Sequence, residues 1–335
     1  MAKAVALLSG GLDSQLAVRL MLEQGIEVEC LTSVSVFHQH SDDPPAVPAA
    51  SRLGVPITLI RTDEQMIDMV RHPRHGLGKN MNPCIDCRIF LLKTAFAHMR
   101  RAGADFIVTG EVLGQRPMSQ RRWAMDLIDR EAGVKGCVVR PLCAKLMEPT
   151  LAEKAGLIDR EKLLAIRGRS RKEQIAWAAA LGIRDYPAPA GGCLLTDPNY
   201  AHRLRELLQR GKAGVNDIEL LGLGRHFRLD DTAKAVVGRD ESENGRLEAL
   251  ARPGDLLFDA VDVPGPTVLL RGDASDNNVR TAAALTLKYG KARGERSARV
   301  VVRKAGTAES FDIVAAPATE GEAEALVVAR VPEER

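Results

Sequence analysis

The chain has 335 residues, 45% of them hydrophobic and 27% charged, with a formal net charge of +3. That length holds two or three domains in ordinary globular proportions, and the charge is too small to define a polyanion-binding surface, so any nucleic-acid contact must come from local basic clusters. Aromatics make up only 4%, which leaves the core to Leu, Val, Ile and Ala and argues against a broad base-stacking surface.

Residues 4–8, AVALL, predict a buried strand. From Asp13 the apolar Leu16, Ala17, Leu20 and Met21 recur at helical spacing, and Gly25 is the stop. IEVECLTSVSV (26–36) and ITLIRTDE (57–64) predict two more strands, separated by a Pro-rich loop and a short helix. ADFIVTGE (104–111) and GCVVRPL (136–142) predict two further strands, with helical patterns between, notably CRIFLLKTAFAHMRRAG. This alternation predicts an α/β fold, a parallel sheet with helices on both faces. Such sheets bind ligands at the carboxyl ends of their strands, near a topological switch point. Three polar stretches follow strands in this way: SGGLDS, TGEVLGQRPMSQ and RPLCAKLMEPT. They are expected to share one cleft.

Residues 159–185 read as helical and basic; the loop RDYPAPAGGCLLTDP and a short helix, YAHRLRELLQRG, come next. Near Val215 the pattern changes. IELLGLGRHFRL, AKAVVGR, DLLFDAVDV and PTVLLRG predict strands, SENGRLEALA and NVRTAAALTLKYGKAR predict helices, and SARVVVRKAG with SFDIVAAP predicts a hairpin. ATEGEAEA reads as an acidic loop. The expected organisation is a catalytic domain over 1–158, a basic segment and Cys193 loop over 159–212 that complete it, and a smaller α+β domain over 213–335.

No apolar run approaches the length of a membrane-spanning helix, and MAKAVALLSGG lacks the length and cleavage site of a signal peptide. A cytoplasmic protein without a membrane is therefore expected. In that compartment the six cysteines are packing residues, metal ligands or reactive thiols, not disulfides.

In SGGLDS, Gly10 and Gly11 allow close backbone approach, Ser9 and Ser14 offer hydroxyls, and the amides of a helix start suit phosphate oxygens. A plain turn needs one glycine and one cap, here Asp13; this run exceeds that. The Gly-Lys-Ser/Thr ending of the common P-loop is not there, so phosphates would be held by backbone and hydroxyls without a clamping lysine. SGGLDS resembles the Ser-Gly-Gly-x-Asp-Ser signature of the PP-loop ATP pyrophosphatases. The resemblance implies that ATP is split between its α- and β-phosphates while a substrate oxygen becomes adenylated. It also implies Mg²⁺ to neutralise the phosphates, with Asp13 as metal partner, a role compatible with capping.

NPCIDCRIF places Cys84 and Cys87 as Cys-x-x-Cys at a helix start, and PAGGCLLTDP places Cys193 in a second loop. Cys30 and Cys137 read as small core residues, and Cys143 is open between the core and a role at a strand end. A helix start lowers a thiol pKa from its reference of about 8.5. Zinc wants four ligands and no second Cys-x-x-Cys occurs. Three thiols suit either three irons of a [4Fe–4S] cluster, leaving the fourth iron open to sulfide, or a persulfide on one cysteine resolved by another.

NPCIDCRIF also resembles the Asn-Pro-x-x-x-Cys-Asn segment of bacterial tRNA 2-thiouridylases, with Arg88 in place of the last Asn. TGEVLGQRPMSQ (109–120) and RPL (140–142) resemble tRNA 4-thiouridine synthetases. Both groups adenylate a uridine carbonyl oxygen of tRNA and replace it with sulfur from a donor protein or sulfide. The resemblance covers residues 3–210 and mixes both branches. It implies ATP at Ser9, Gly10, Gly11, Asp13 and Ser14, and a cleft lined by Gly110, Gln115 and Ser119. It favours a [4Fe–4S] cluster on Cys84, Cys87 and Cys193 over the persulfide pair.

Basic residues cluster at Arg116, Arg121 and Arg122, and at Lys162, Arg167, Arg169, Arg171 and Lys172, a pattern suited to phosphate contacts. Residues 230–310, with Val-Gly-Arg, Glu-Asn, Gly-Asp-Leu and Pro-Gly-Pro, resemble the RNA-binding domain of NFACT-type proteins. Arg239, Arg246 and Arg271 are the RNA-contact candidates there. Thiolation of tRNA is thus the leading expectation. The alternatives are another PP-loop adenylating enzyme, such as an amidotransferase or a small-molecule sulfur-inserting enzyme, and a non-enzymatic RNA-binding protein.

Overall fold

The computed structural model describes residues 1–39, 43–188, 192–211, 213–261 and 263–328. The chain divides into two compact units, Met1–Asp197 and Pro198–Arg335. In the first, chain order runs β1 Lys3–Leu7, α1 Leu12–Leu22, β2 Glu27–Val34, α2 Ala46–Leu53, β3 Ile57–Arg61, α3 Asp63–Arg71, α4 Cys84–Arg101, β4 Phe106–Thr109, α5 Arg122–Ala132, β5 Val138–Val139, α6 Leu151–Lys154 and α7 Lys172–Ala180. The strands form a five-stranded sheet of order β3-β2-β1-β4-β5, parallel throughout. The chain builds outward from β1 in one direction, then returns to the other side of β1 with β4. The switch point lies between β1 and β4, where a ligand crevice is expected.

Both faces of β1 are buried, as a central parallel strand requires. Ala4 and Ala6 join Leu12, Leu16, Ala17, Leu20 and Met21 of α1 in one core. Val5 joins Ile85, Ile89, Leu92, Ala95 and Met99 of α4 in the other. The apolar residues of each helix recur three or four apart, so each turns one continuous stripe to the sheet. Leu92 is fully buried, which stabilises the packing of α4 by about 1.5–3 kcal/mol.

The 159–185 segment differs from expectation. Only Lys172–Ala180 is α-helical, with a short 3₁₀ turn at Arg160–Lys162. The stretch between lies along the loops after β5 and β4: Leu164 N donates to Pro141 O (2.8 Å), Ile166 N to Leu142 O (2.8 Å) and Gly168 N to Leu113 O (2.8 Å). Those cross-chain bonds replace the internal ladder of a helix. Arg167 and Arg169 therefore stand on an irregular strip.

The second unit contains α8 Pro198–Gln209, α9 Val215–Leu220, β6 Arg225–Arg228, β7 Lys234–Val237, α10 Glu241–Leu250, β8 Leu256–Ala260, β9 Val268–Arg271, α11 Asp276–Lys288, β10 Ala298–Lys304, β11 Ser310–Ala315 and α12 Glu320–Leu326. Its six strands form a sheet of order β11-β10-β8-β9-β7-β6, antiparallel at every pair. Ala282, Ala283, Leu285 and Leu287 of α11 cover one face with Phe258, Leu270 and Val300. On the other face Leu220 and Leu247, from α9 and α10, pack with Val236, Leu257 and Leu269. The unit begins at Pro198, earlier than the expected 213. Its first helix is tied to α9, the residue after it, and β6: Tyr200 Oη donates to Ile218 O (3.4 Å), Arg203 Nη1 to Leu221 O (2.9 Å), and Glu206 Oε1 accepts from Arg228 Nε (2.8 Å).

Three further expectations change. The first part of IELLGLGRHFRL is the helix Val215–Leu220, and only Arg225–Arg228 is a strand. The acidic ATEGEAEA run is the helix Glu320–Leu326, because Thr319 and Glu322 form a reciprocal capping box ahead of it. Arg271 is an internal tie. Its Nε donates to both Asp255 oxygens (3.1 Å each), Nη1 to Asp217 Oδ1 (2.9 Å), and Nη2 to Asp255 Oδ2 (2.6 Å) and Leu250 O (3.0 Å). Four of its five N–H donors are used inside the unit, which leaves one Nη1 hydrogen for an RNA phosphate. Removing it leaves the buried Asp255 without a cation, while Asp217 keeps Arg252 at 2.8 Å, so Arg271→Ala should destabilise the second unit by about 3 kcal/mol in denaturant unfolding. An Arg271→Ala protein that keeps wild-type stability but loses RNA affinity would restore the contact role.

Candidate active site

β1 ends beneath a loop that is held by its own side chains. Ser14 Oγ donates to Gly11 O (2.8 Å), accepts from Ser9 N (3.2 Å) and lies 3.2 Å from Ser9 Oγ. Gln15 Nε2 donates to Gly10 O at 2.6 Å. Gly10 has φ +80°, and a Cβ there would stand 2.4 Å from the Pro45 carbonyl carbon, so both conformation and space demand glycine. Gly11 is the N-cap of α1, with no side-chain cap. The first helical bond is Gln15 N to Gly11 O (3.1 Å), and the amides ahead of it form the helix-start anion seat.

Asp13 does not cap the helix. Its Oδ2 accepts from Gln115 Nε2 at 2.7 Å, while its Oδ1 is buried with no hydrogen-bond partner. A buried carboxylate oxygen left in this way is costly unless a cation or donor arrives. Asp13 therefore fits the metal-partner role beside bound phosphates. Gly110, at the end of β4, crosses the start of α1: a Cβ there would lie 2.6 Å from Asp13 C and O and from Ser14 N. The loops after β1 and β4 thus meet at the switch point.

The loop after Gly110 closes on itself. Gly114 N donates to Gln120 O (2.6 Å) and Arg116 N to Gln120 Oε1 (3.1 Å). Ser119 and Gln120 are buried at 3% exposure, so Ser119 lies under the loop and not on its open side. Gln115 Oε1 accepts from Gln174 Nε2 (2.9 Å), a residue of α7 that no motif singled out. The next residue, Arg116, is exposed, and its charge acts on the thiols of Cys87 and Cys193.

The three candidate cysteines come from separate places. Cys84 opens α4 and its Sγ accepts from Asn82 Nδ2 at 3.1 Å. Cys87 lies in the next turn. Cys193 bridges to His38, just beyond β2. Its turn is pinned on one side by Leu194 N to Phe37 O (2.8 Å) and on the other by Met81 N to Leu195 O (3.2 Å) and Asn80 Nδ2 to Thr196 O (2.7 Å). The segment leading into α4 and the Cys193 turn are thereby held together, and the three thiols act on one another electrostatically.

The helix start does not lower the Cys87 thiol. Burial pushes it up to about 12, because the loss of water outweighs Arg88 and Arg116, and Cys193 and Cys84 add repulsion. Burial raises Cys193 too. Among the described residues, no group of three or more His, Cys, Asp or Glu is placed to hold a metal ion. Cys84, Cys87 and Cys193 act on one another electrostatically, and three such thiols suit three irons of a cluster or a persulfide pair alike. Cys30 and Cys143 are buried core thiols; burial raises them to about 12 and about 11.

A buried ion network stands behind this site, and sequence reasoning missed it. Glu111, 1% exposed, comes directly after Gly110. Its Oε2 accepts from Arg140 Nε (3.0 Å) and Thr109 Oγ1 (3.1 Å), and its Oε1 faces Arg88 Nε at 3.6 Å. Arg140 also forks onto Asp129 (2.9 and 2.7 Å). Burial alone would raise the Glu111 carboxyl; Arg140 and Arg88 outweigh it and hold it below its ordinary value. The network links the residue after Cys87 to the end of β4 and to the arginine of RPL. The available signal was a Glu and an Arg standing at two strand ends.

His75 is clamped between Asp86 (Nδ1 to Oδ1, 2.6 Å) and Glu131 (Nε2 to Oε1, 3.0 Å). The Asp86 bond, ahead of Glu131, raises its pKa above 6.5 despite burial. A raised folded pKa contributes stability that is fully present below the unfolded value near 6.5 and is lost as pH rises through the folded one. Stability should therefore fall as pH climbs above about 6.5, and His75→Gln should flatten that slope; an unchanged slope in unfolding curves would refute it.

Of the basic residues, Arg121, Arg167, Arg169 and Lys172 are exposed. Arg122 donates to Leu146 O, Lys162 lies 3.9 Å from Asp159, and Arg171 keeps a buried Nε with no partner. In the second unit Arg246 is exposed, and Arg239 pairs with Glu243 at 3.2 Å. The nucleotide loop gives a direct test. Gly10→Ala meets both a positive φ and a backbone clash and should cost about 2–4 kcal/mol in thermal unfolding, whereas Gly25→Ala, with φ +73° and open space around it, should cost only about 1 kcal/mol.

Comparison with known proteins agrees with this geometry. Residues 1–150 match the family described as Thiamine biosynthesis protein (ThiI), and residues 224–327 match the NFACT protein RNA binding domain. A tRNA-specific 2-thiouridylase of Syntrophus aciditrophicus is 25% identical over 292 residues, covering 79% of this chain and 70% of its own. That of Trichlorobacter lovleyi is 31% identical over 120 residues, a match spanning 33% of either chain. A solved 4-thiouridine synthetase–RNA complex with bound ATP is 22% identical, covering 66% of this chain and 52% of that one, with a TM-score of 0.37. By sequence, then, the chain is similar to tRNA thiouridine synthetases in its first unit and to the NFACT RNA-binding domain in its second.

Proposed function

We propose that this protein is an ATP-dependent tRNA uridine sulfurtransferase of the cytoplasm. One observation carries the reading: a single loop serves both halves of the chemistry. Gln115 grips Asp13 of the nucleotide loop at 2.7 Å, and the adjacent Arg116 acts on the thiols of Cys87 and Cys193. An activated base held beside this loop would meet its adenylating phosphate on one side and its sulfur source on the other.

Ser9, Gly10, Gly11 and Ser14 hold the phosphates of ATP through hydroxyls and helix-start amides. Asp13 Oδ1 would hold Mg²⁺, which neutralises phosphate charge when bound. The uridine carbonyl oxygen attacks the α-phosphorus and pyrophosphate leaves. Sulfur then adds to the same uridine carbon, and AMP departs with the oxygen. Orientation of both partners in one dry site makes the displacement feasible.

Of the two sulfur routes, the one that uses these thiols alone needs no bound group, and the sulfur step is written through it. A persulfide on one cysteine supplies the sulfur, and a second thiolate attacks the inner sulfur, leaving a disulfide. Between turnovers a thiol reductant opens the disulfide and a donor protein's persulfide passes its outer sulfur to one of the thiols; alternatively, sulfide opens the disulfide directly, leaving a persulfide on one cysteine and a thiol on the other. The NFACT-type unit would hold the RNA, with Arg246 and Arg239 among the contacts. The family description also names thiamine biosynthesis, so insertion of sulfur into a small molecule is the second reading.

Deletion of the gene should remove 2-thio- or 4-thiouridine from bulk tRNA, measured by nucleoside mass spectrometry, and the missing nucleoside names the position. An unchanged profile together with thiamine auxotrophy would favour the second reading. Cys193→Ala should lower single-turnover thiolation at least 100-fold while leaving pyrophosphate release intact; full activity would remove Cys193 from the chemistry. Anaerobically purified protein with iron and broad visible absorbance would replace the persulfide by a cluster on the same three cysteines.

A further inference from the structure

We infer a second anion site: the cavity walled by α1, the end of α2 and the 181–185 turn binds a phosphate group. It is lined by Gln15, Arg19, Arg52, Leu53 and residues 181–185, with a volume of about 350 Å³, within the range of small-ligand pockets. Three arginines are among its lining residues, Arg19, Arg52 and Arg184. This site stands independently of the sulfur chemistry.

These guanidiniums are underused. Arg19 pairs through Nη2 with Glu23 at 2.7 Å, but its Nε is buried with no partner. Arg52 reaches Asp185 O at 3.3 Å and the Asp185 carboxylate only at 4.0 Å. Arg184 is exposed at the wall. Two carboxylates accompany the three cations, and neither is sunk in the cavity: the Asp185 side chain is 80% exposed and that of Glu23 47%. Three forked, weakly hydrated cations around one small cavity suit a tetrahedral oxyanion.

The cavity is separate from the nucleotide loop yet tied to it. The loop uses the start of α1, whereas Arg19 lies further along that helix. Gln15 joins them, its Nε2 donating to Gly10 O (2.6 Å) and to Asp185 O (3.0 Å). An anion that draws Arg52 away from Asp185 acts on the group that orients Gln15, and through it on Gly10. The phosphate could belong to a free metabolite or to an RNA backbone; the chemistry is the same and the experiment separates the sources.

The test uses the full chain as wild type, as Arg19→Gln/Arg52→Gln, as Ser9→Ala/Ser14→Ala for the nucleotide-loop control, and with both pairs replaced. With the serine pair also replaced so that the nucleotide loop contributes least, titration calorimetry with inorganic phosphate should show binding retained in Ser9→Ala/Ser14→Ala and weakened at least tenfold when Arg19→Gln/Arg52→Gln is added to it. In the same background Arg19→Lys/Arg52→Lys should recover part of it, which separates lost charge from lost folding. A fall of about two in the salt slope of tRNA binding in the arginine variant would assign the phosphate to RNA; an unchanged slope with lost phosphate binding would assign it to a free anion. Phosphate affinity unchanged on adding the arginine pair to the serine pair, in a folded protein, with wild-type tRNA affinity in the arginine variant, would overturn the inference.

Discussion

The crossing of β4 over the start of α1 governs the first unit. Gly110 brings the β4 backbone so close to Asp13 and Ser14 that no Cβ fits. Everything after that point inherits the position. The next residues carry Glu111 into its buried ion network and Gln115 onto Asp13. A parallel sheet that reverses its build order between β1 and β4 leaves a crevice there; the two glycine-containing loops narrow it until the nucleotide seat and the loop above it form one body.

Charge and burial are set against each other around that crevice. The thiols of Cys87 and Cys193 are half-buried, and the loss of water raises the pKa of each. Arg88 and Arg116 oppose that effect without overcoming it. Arg88 is itself drawn toward Glu111, so its charge is shared between a buried carboxylate and a thiol. Anything that brings positive charge or hydrogen-bond donors to these thiols favours their ionised forms.

The second unit answers a different need. Its sheet is antiparallel, covered on one face by α11 and on the other by α9 and α10, and its strongest ion ties are internal. Arg271 with Asp217 and Asp255, and Arg228 with Glu206, hold loops and helices to strands. That leaves exposed residues such as Arg246 for a polyanion. Basic residues in this unit thus divide by burial, a distinction that counting charges along a chain does not make.

Local pattern was enough for much of this. Alternating strands and helices, the SGGLDS run after the first strand and the Cys-x-x-Cys at a helix start are properties of neighbours in the chain, and they determined the α/β class, the tight glycine loop that ends β1 and the pair of thiols that opens α4. Tertiary structure decided the rest. The Cys193 turn reaches the other thiols because backbone bonds tie it to residues 37 and 81. Arg271 is tied internally because two distant aspartates converge on it. Residues 163–171 are not helical because they bond to strand-end loops instead of to themselves. Asp13, which by sequence could cap its helix, turns to Gln115 because the β4 loop folds over it. Sequence sets the groups each residue can offer within a few positions; only the folded chain decides which distant group removes its water or accepts its proton.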